Sequence, residues 1–241
     1  MTSETPVQAE ERLAAACALS LVGGFTDIYS YLCRGHVFAN AVTGNMVLLG
    51  LDAATLDWAG CLRYLLAIVS YGCGIFVADA IHAHLESRRL VTWHQIILLI
   101  EIALLTLVVF LPCGACDFAV NAVIAFVCAL QVQTFRRVHG LPFASTMCTG
   151  NLRSGTDALF NGLRGTDANG LHKARHYLLV IALFILGATL GAFLLNTVGR
   201  FSFLLAPALL VIVLALLTTK HQYVKLRRLL KQRQPKTLIS A

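Results

Sequence analysis

Long apolar runs separated by short polar stretches make up most of this chain. Runs of about 20 predominantly apolar residues are long enough to cross the hydrocarbon core of a membrane as helices. Six such runs occur, at 13–33, 62–81, 95–111, 118–135, 177–196 and 201–219. The pattern therefore predicts an all-α, polytopic membrane protein with six transmembrane helices, which contacts the lipid bilayer over most of its surface.

The second feature of the pattern is an internal repeat. The tripeptide Thr-Gly-Asn occurs twice, as Thr43, Gly44 and Asn45 and again as Thr149, Gly150 and Asn151. Tyr64 and Gly74 follow the first copy in the same order as Tyr177 and Gly187 follow the second. Each half holds three predicted spans, and three crossings reverse the side from which the next half enters. The pattern therefore predicts two inverted three-helix repeats.

The repeat also defines the predicted domain organisation. One integral membrane domain covers 1–241, with repeat one at about 13–112, repeat two at about 118–219 and a basic tail at 220–241. Small residues in the second helix of each half predict close approach between helices. They are Gly72, Gly74, Ala78, Gly187 and Gly191. A duplicated chain can work as a monomer, and the same small-residue faces are compatible with a homo-oligomer.

The link between the first and second span of each half is unusual. These links, at about 34–61 and 138–176, are long, whereas ordinary connections are short. Between 38 and 51 the only polar side chains are Asn40, Thr43 and Asn45. We therefore expect each link to enter the membrane as a broken or re-entrant helix. A helix that starts inside lipid leaves backbone donors without partners, so Thr and Asn are expected to cap it and Gly44 to allow close backbone approach or positive φ.

Composition supports a membrane protein rather than a soluble domain. The chain is 58% hydrophobic and 13% charged, with a mean hydropathy of +0.75, against about 25% charged residues in soluble proteins. All but three of the 19 Lys and Arg residues fall on the N-terminal side of the predicted membrane, the exceptions being Arg34, Arg63 and Arg200. The positive-inside rule then predicts that both termini are cytoplasmic. The net charge of +7 is thereby explained without nucleic acid.

Two acids lie inside predicted spans. Asp27 is in the first span, and Glu101 is close to the middle of the third. Ionisable groups at the bilayer centre are costly and usually face a partner or a water-filled path. Glu101 is therefore a candidate for proton coupling, and the alternative is a protonated carboxyl that is hydrogen-bonded to a neighbouring helix. For Asp27 the alternative is a hydrogen bond in helix packing.

Several short motifs carry a family resemblance. They are Gly-Gly-Phe-Thr-Asp at 23–27, Phe-Ala-Asn-Ala-Val-Thr-Gly-Asn at 38–45, Ala-Leu-Gln at 129–131, Arg-Arg at 136–137, Gly140 and Met-Cys-Thr-Gly-Asn at 147–151. In this order they are similar to the YoaK-type bacterial membrane family. The resemblance implies a six-helix protein of the bacterial inner membrane and no particular activity. Because Gln131 is part of the motif that resembles the family, it is included in the candidate site. The resemblance implies an asparagine at the next position, where this chain has Val132 instead.

The predicted function follows from the architecture. Two helix starts that point toward the membrane middle present positive dipole ends, between which a small anion or polar solute can bind. The chain is therefore interpreted as a transporter or channel for a small solute, an anion included, and not as an enzyme. The predicted substrate-binding residues are Thr43, Gly44, Asn45, Thr149, Gly150, Asn151, Asp27 and Gln131.

Three other interpretations compete with this one. In the simplest, Thr and Asn only cap kinked helices and Gly only lets helices pack. In the second, the protein is a scaffold that binds lipid or a partner through its basic tail. The third is an intramembrane redox enzyme that uses Cys113 and Cys116, although no thioredoxin-like strand pattern surrounds this pair. No catalytic residue, metal or cofactor is predicted.

Overall fold

The protein is mainly α-helical in the part of the chain that the computed structural model describes, residues 6–40, 42–85, 92–138 and 141–218. The basic tail at 220–241 and Gly140 lie outside the described residues. The helices are α1 Pro6–Cys33, α2 Val42–Ala54, α3 Trp58–Leu85, α4 Trp93–Phe110, α5 Asp117–Thr134, α6 Cys148–Leu163, α7 Gly170–Thr197 and α8 Arg200–Thr218, which starts as a 3-10 turn over Arg200–Leu204. Between α5 and α6 a short antiparallel ladder pairs Arg137–Val138 (β1) with Leu141–Pro142 (β2).

Six of these helices are long and apolar enough to span a membrane, which confirms the predicted number. They are α3, α4, α5, α7, α8 and the part of α1 from Leu13 to Cys33. The 18 residues of α4 and of α5 rise about 27 Å, close to the hydrocarbon thickness of about 30 Å. The 28-residue helices α3 and α7 are long enough to tilt or to extend past the core. The apolar helix α2, with 13 residues, is too short to cross.

The outward faces of the spanning helices are apolar. Phe76 of α3, Leu107 and Phe110 of α4 and Phe193 of α7 are each more than half exposed. In water, large apolar side chains on a common surface mark a site of association. On membrane-spanning helices such side chains face the lipid, and the protein therefore contacts the bilayer through them.

Glycines bring two pairs of helices into backbone contact, α1 with α7 and α3 with α5. A Cβ atom on Gly187 of α7 would overlap the carbonyl oxygen of Leu21, and a Cβ atom on Gly74 of α3 would lie 2.5 Å from the carbonyl oxygen of Phe126. The predicted packing role is confirmed for these two glycines. Gly72 makes no such contact within the chain: it lies on the exposed side of α3, and a built Cβ has no atom within 4 Å.

Aromatic stacking joins α8 to α1 in the core. The rings of Tyr29 and Phe203 are stacked with their centroids 3.8 Å apart, and Phe25 meets the Phe203 ring edge-on. Leu105 of α4 and Ile124 of α5 are fully buried in the same cluster. Aromatic pairs add stabilisation beyond the area that they bury, so this cluster holds four helices together near one end of the bundle.

Arg34 follows α1 and closes the same end of the bundle. Its buried guanidinium donates to the Tyr29 hydroxyl and to three main-chain carbonyl oxygens at and just beyond the C-terminus of α4, and it pairs with Asp117 at 3.4 Å. The last carbonyls of a helix lack intrahelical donors, and a cation is favoured there. Arg34 is thus a structural cation that joins the end of α1 to the end of α4.

Candidate functional site

The chain that follows α1 turns back along the helix that it has just left. The main-chain amide of Ala39 donates to Ser30 Oγ (3.3 Å), and that of Asn40 donates to Asp27 Oδ1 (3.0 Å). Asn40 Nδ2 donates to the carbonyl oxygen of Gly23 (3.4 Å). Gly23 lies about ten residues before the end of α1, which is roughly 15 Å along the helix axis. The first link is therefore re-entrant, and α2 returns from this depth to the start of α3.

The chain that follows α5 makes the equivalent excursion from the opposite end of the bundle. Gln131 Nε2 donates to Ser145 Oγ (2.6 Å) and to the carbonyl oxygen of Leu19 (3.3 Å). The Thr146 methyl group lies 2.9 Å from the position of a Cβ built on Gly23. Leu19 and Gly23 are one helical turn apart on α1. The second link therefore reaches the same stretch of α1 as the first, and α6 then returns along α7.

A buried asparagine holds each link in place. Asn45 Nδ2 donates to the carbonyl oxygen of Phe38 (3.0 Å), and Asn151 Nδ2 donates to that of Ala144 (2.6 Å). In both cases the acceptor is seven residues earlier in the chain. Asn151 Oδ1 also accepts the main-chain amide of Ala144 (3.4 Å). The asparagines of the two tripeptides thus clamp the backbone that precedes them.

This arrangement corrects the expected role of the tripeptides as helix caps. The N-cap of α6 is Met147 and no side chain caps that end, so Thr149 and Asn151 lie inside the first turns of the helix. Neither Gly44 nor Gly150 has a positive φ, and a Cβ built on Gly150 has no atom within 4 Å. Among the other tripeptide residues, the side chains of Thr43 and Thr149 are exposed.

Asn151→Ala is expected to lower the free energy of unfolding by about 1–3 kcal/mol, because the partly buried main-chain amide and carbonyl of Ala144 both lose their partner. Thermal unfolding of the purified protein measures the change. Thr149→Ala, at an exposed position of the same turn, is the matched control and should change the free energy by less than about 0.5 kcal/mol. Equal melting temperatures for Asn151→Ala and the parent would contradict the clamp.

A buried polar centre lies beside the first link. Glu101 of α4 is fully buried, and neither of its carboxyl oxygens has a hydrogen-bond partner among the described residues. Cys128 of α5 interacts electrostatically with both Glu101 and Asp27 and is adjacent to the Asn40 side chain. Tyr71 of α3 also interacts electrostatically with this thiol. Four helices and the first link contribute to this group, which we call the polar centre. Its members are Asp27, Asn40, Tyr71, Glu101 and Cys128.

The structure brings some predicted residues together and adds others to them. Asp27 and Gln131 were both predicted, and they bind the two links through Asn40 and Ser145. Ser145 and Cys128 were not predicted as site residues. The register of the repeat is the signal that identifies Asn40 and Ser145, because each stands two residues after the phenylalanine that begins its motif.

The cysteine pair considered for redox chemistry lies away from the polar centre. Cys113 and Cys116 are free thiols in the loop between α4 and α5, and Cys113 is close to the buried Arg34. Within the described ranges, no group of three or more His, Cys, Asp or Glu side chains is placed to hold a metal ion. The candidate site is therefore the polar centre and the two links beside it.

Six spanning helices and two links that return along them define a polytopic α-helical membrane protein. The chain belongs to the family described as Protein of unknown function (DUF1275), whose profile matches residues 15–217. It is also similar to the UPF0700 transmembrane protein YoaK of Bacillus subtilis (strain 168), with 38% identity over 60 residues; the match covers 25% of this chain and 27% of that protein. The family resemblance is thereby confirmed. No solved structure matches the chain.

Proposed function

We propose that this protein is a transporter or channel that carries a small polar solute across the bacterial inner membrane, and that it is not an enzyme. The observation that carries the proposal is the meeting of two links, one from each end of the bundle, at residues 19–23 of α1. Non-helical backbone at membrane depth is tolerated only where it is buried in protein or lines a water-filled cavity. A solute path needs access from both sides, and one link enters from each.

The two halves are proposed to be inverted repeats, with both termini cytoplasmic. Matched contacts support this relation. Gly74 of the second helix in one half packs on the carbonyl of Phe126, and Gly187 of the second helix in the other half packs on that of Leu21. Leu21 and Phe126 hold equivalent positions in the two halves. The first helix of each half thereby packs on the second helix of the other, as a two-fold axis in the membrane plane requires.

The solute is proposed to contact the polar side chains at the meeting point. These are Asp27, Asn40, Gln131 and Ser145. Asn45 and Asn151 hold the links in position, and the exposed threonines of the tripeptides have no part in the site. Glu101 is proposed to exchange protons with water during the cycle, because an acid that is buried at membrane depth without a partner is usually functional.

Flux through reconstituted vesicles tests this proposal. The parent protein in lipid vesicles is screened against small inorganic ions, organic anions, amines and polyols, by stopped-flow light scattering and by currents on a solid-supported membrane. The double variant Asn40→Ala, Ser145→Ala is expected to lose roughly tenfold or more of the parent flux, because a hydrogen bond is lost at each link.

The matched control for this experiment is the double variant Thr43→Val, Thr149→Val. Both side chains are exposed, so the control is expected to keep the parent flux. Size-exclusion profiles confirm that each variant is folded before its flux is compared. The proposal fails if vesicles with the parent protein are no more permeable than empty vesicles to every class of solute in the screen.

A further inference from the structure

The unpartnered polar atoms of the described interior include a set of amide oxygens. In Asn40, Asn45 and Asn121 the side-chain Nδ2 donates to a main-chain carbonyl oxygen. A carbonyl oxygen only accepts hydrogen bonds, so the orientation of each amide is determined. The three Oδ1 atoms are buried and have no partner among the described residues. Each is a hydrogen-bond acceptor that lacks a donor.

Glu101 adds two further oxygens to this set. The side chain is fully buried and neither oxygen has a partner, so no described lysine, arginine or histidine pairs with it. A lone carboxylate in such surroundings is very costly. The group therefore holds a proton when the site is empty, and it releases that proton only when another positive charge takes its place.

The other titratable groups around Glu101 carry no positive charge. Cys128 of α5 interacts electrostatically with Glu101, with Asp27 of α1 and with Tyr71 of α3. The helix α8 has no titratable side chain from 201 to 218. The Asn40 side chain lies within hydrogen-bonding reach of the same thiol through its amide, and its Oδ1 atom has no partner among the described residues. The polar centre thus combines acids and acceptors.

The helix dipoles at the starts of α2 and α6 favour an anion, but their effect is weaker than that of the unpartnered oxygens. The starts of α2 and α6 each carry about half a positive charge, which falls off within the first turn. In that turn of α6 the side chain of Thr149 and the Gly150 position are exposed and do not face the centre. An anion at the polar centre would meet the unpartnered Asn40 oxygen, and it could not take the place of the Glu101 proton, because two negative charges would then be buried together. The balance favours a cation that donates hydrogen bonds.

We propose that the solute is a small cation with N–H donors and that it exchanges with the proton on Glu101; the proposal rests on the transport function proposed above. As the cation enters, the carboxyl O–H bond breaks and the proton leaves to water. The cation then lies beside the carboxylate, in the polar centre to which the Asn40 side chain also belongs. One positive charge replaces another, so the net charge buried at membrane depth does not change. The same step in reverse on the other side of the membrane returns the proton.

Proton release on binding tests this inference. The full-length protein in detergent is placed in weakly buffered solution near pH 7 with a pH-sensitive dye, and methylammonium or guanidinium chloride is added. Release of about one proton per protein is expected. Tetramethylammonium chloride, which has the same charge and no N–H donor, and sodium formate are expected to release none. Glu101→Gln, which removes the exchangeable proton with little change of shape, should abolish the release, and Asn40→Ala should weaken the apparent affinity roughly tenfold.

Gly72→Ala, at an exposed position without neighbours, is the folding control and should behave as the parent. The inference is overturned if neither N–H cation releases protons, if formate does so instead, or if Glu101→Gln releases as many protons as the parent. The vesicle screen separates this inference from the transport proposal. Flux of an anion without proton release would remove the inference and leave transport standing. Proton release by an N–H cation without flux of any solute would leave the binding site and remove transport.

Discussion

Arg34→Met is expected to lower the free energy of unfolding by about 3–5 kcal/mol, one of the two largest effects of any substitution considered for this protein. The guanidinium is fully buried, and its loss leaves the Tyr29 hydroxyl and three carbonyl oxygens at the end of α4 without their donor. It also leaves Asp117 without its ion pair. Thermal or denaturant unfolding of the purified protein measures the change.

Arg63→Met is the matched control for this prediction. Arg63 lies at the same end of the bundle, but it makes one long hydrogen bond, to Gly35 O at 3.4 Å, and a cation–π contact with Phe118. Its replacement should cost less than about 1 kcal/mol. Arg34→Lys should be intermediate, because it keeps the charge and loses the planar fork of donors. If Arg34→Met melts at the same temperature as Arg63→Met, the buried cation does not hold α1 to α4.

Gly187→Leu is expected to prevent the close packing of α1 on α7 and to cost at least about 3 kcal/mol. Even a Cβ atom at this position would overlap the backbone of Leu21. Backbone cannot rotate away as a side chain does, so the two helices must separate along their length. A fall in the yield of monodisperse protein and in its melting temperature measures the effect.

Gly72→Leu provides the comparison, because it places the same side chain on the exposed side of α3, where no atom lies within 4 Å. Its stability should be within about 0.5 kcal/mol of the parent. Gly74→Leu tests the equivalent contact in the other half, with the Phe126 carbonyl, and should resemble Gly187→Leu. A Gly187→Leu protein as stable as Gly72→Leu would show that the backbones of α1 and α7 are not in contact.

The features that could be predicted from the sequence are those that depend on local patterns along the chain. The six spans follow from runs of apolar residues, and each was found as a helix of sufficient length. The duplicated tripeptides correctly indicated two unusual links. The expected capping role of the second tripeptide was wrong, because a cap depends on where the helix begins. The helix α6 begins at Cys148, so Asn151 is already in its interior and bonds to the preceding backbone instead.

The candidate site was predicted in part. Asp27 and Glu101 stand out because a charged residue in an apolar run is visible in any sequence, and Gln131 entered through the family resemblance. Asn40 and Ser145 are short polar residues of ordinary appearance. Their importance comes from the atoms that they meet, which belong to α1 in one case and α5 in the other. No local pattern contains that information.

The sequence by itself therefore determined that this protein lies in a membrane, how many spans it has and which family it belongs to. Those properties depend on apolar content and on short-range order, both of which can be counted along the chain. Only the tertiary structure decided that both links reach the same turn of α1, that Arg34 serves the end of α4, and that Glu101 has no partner. The physical reason is that a buried polar group is defined by its partners, and these come from residues far away in the chain.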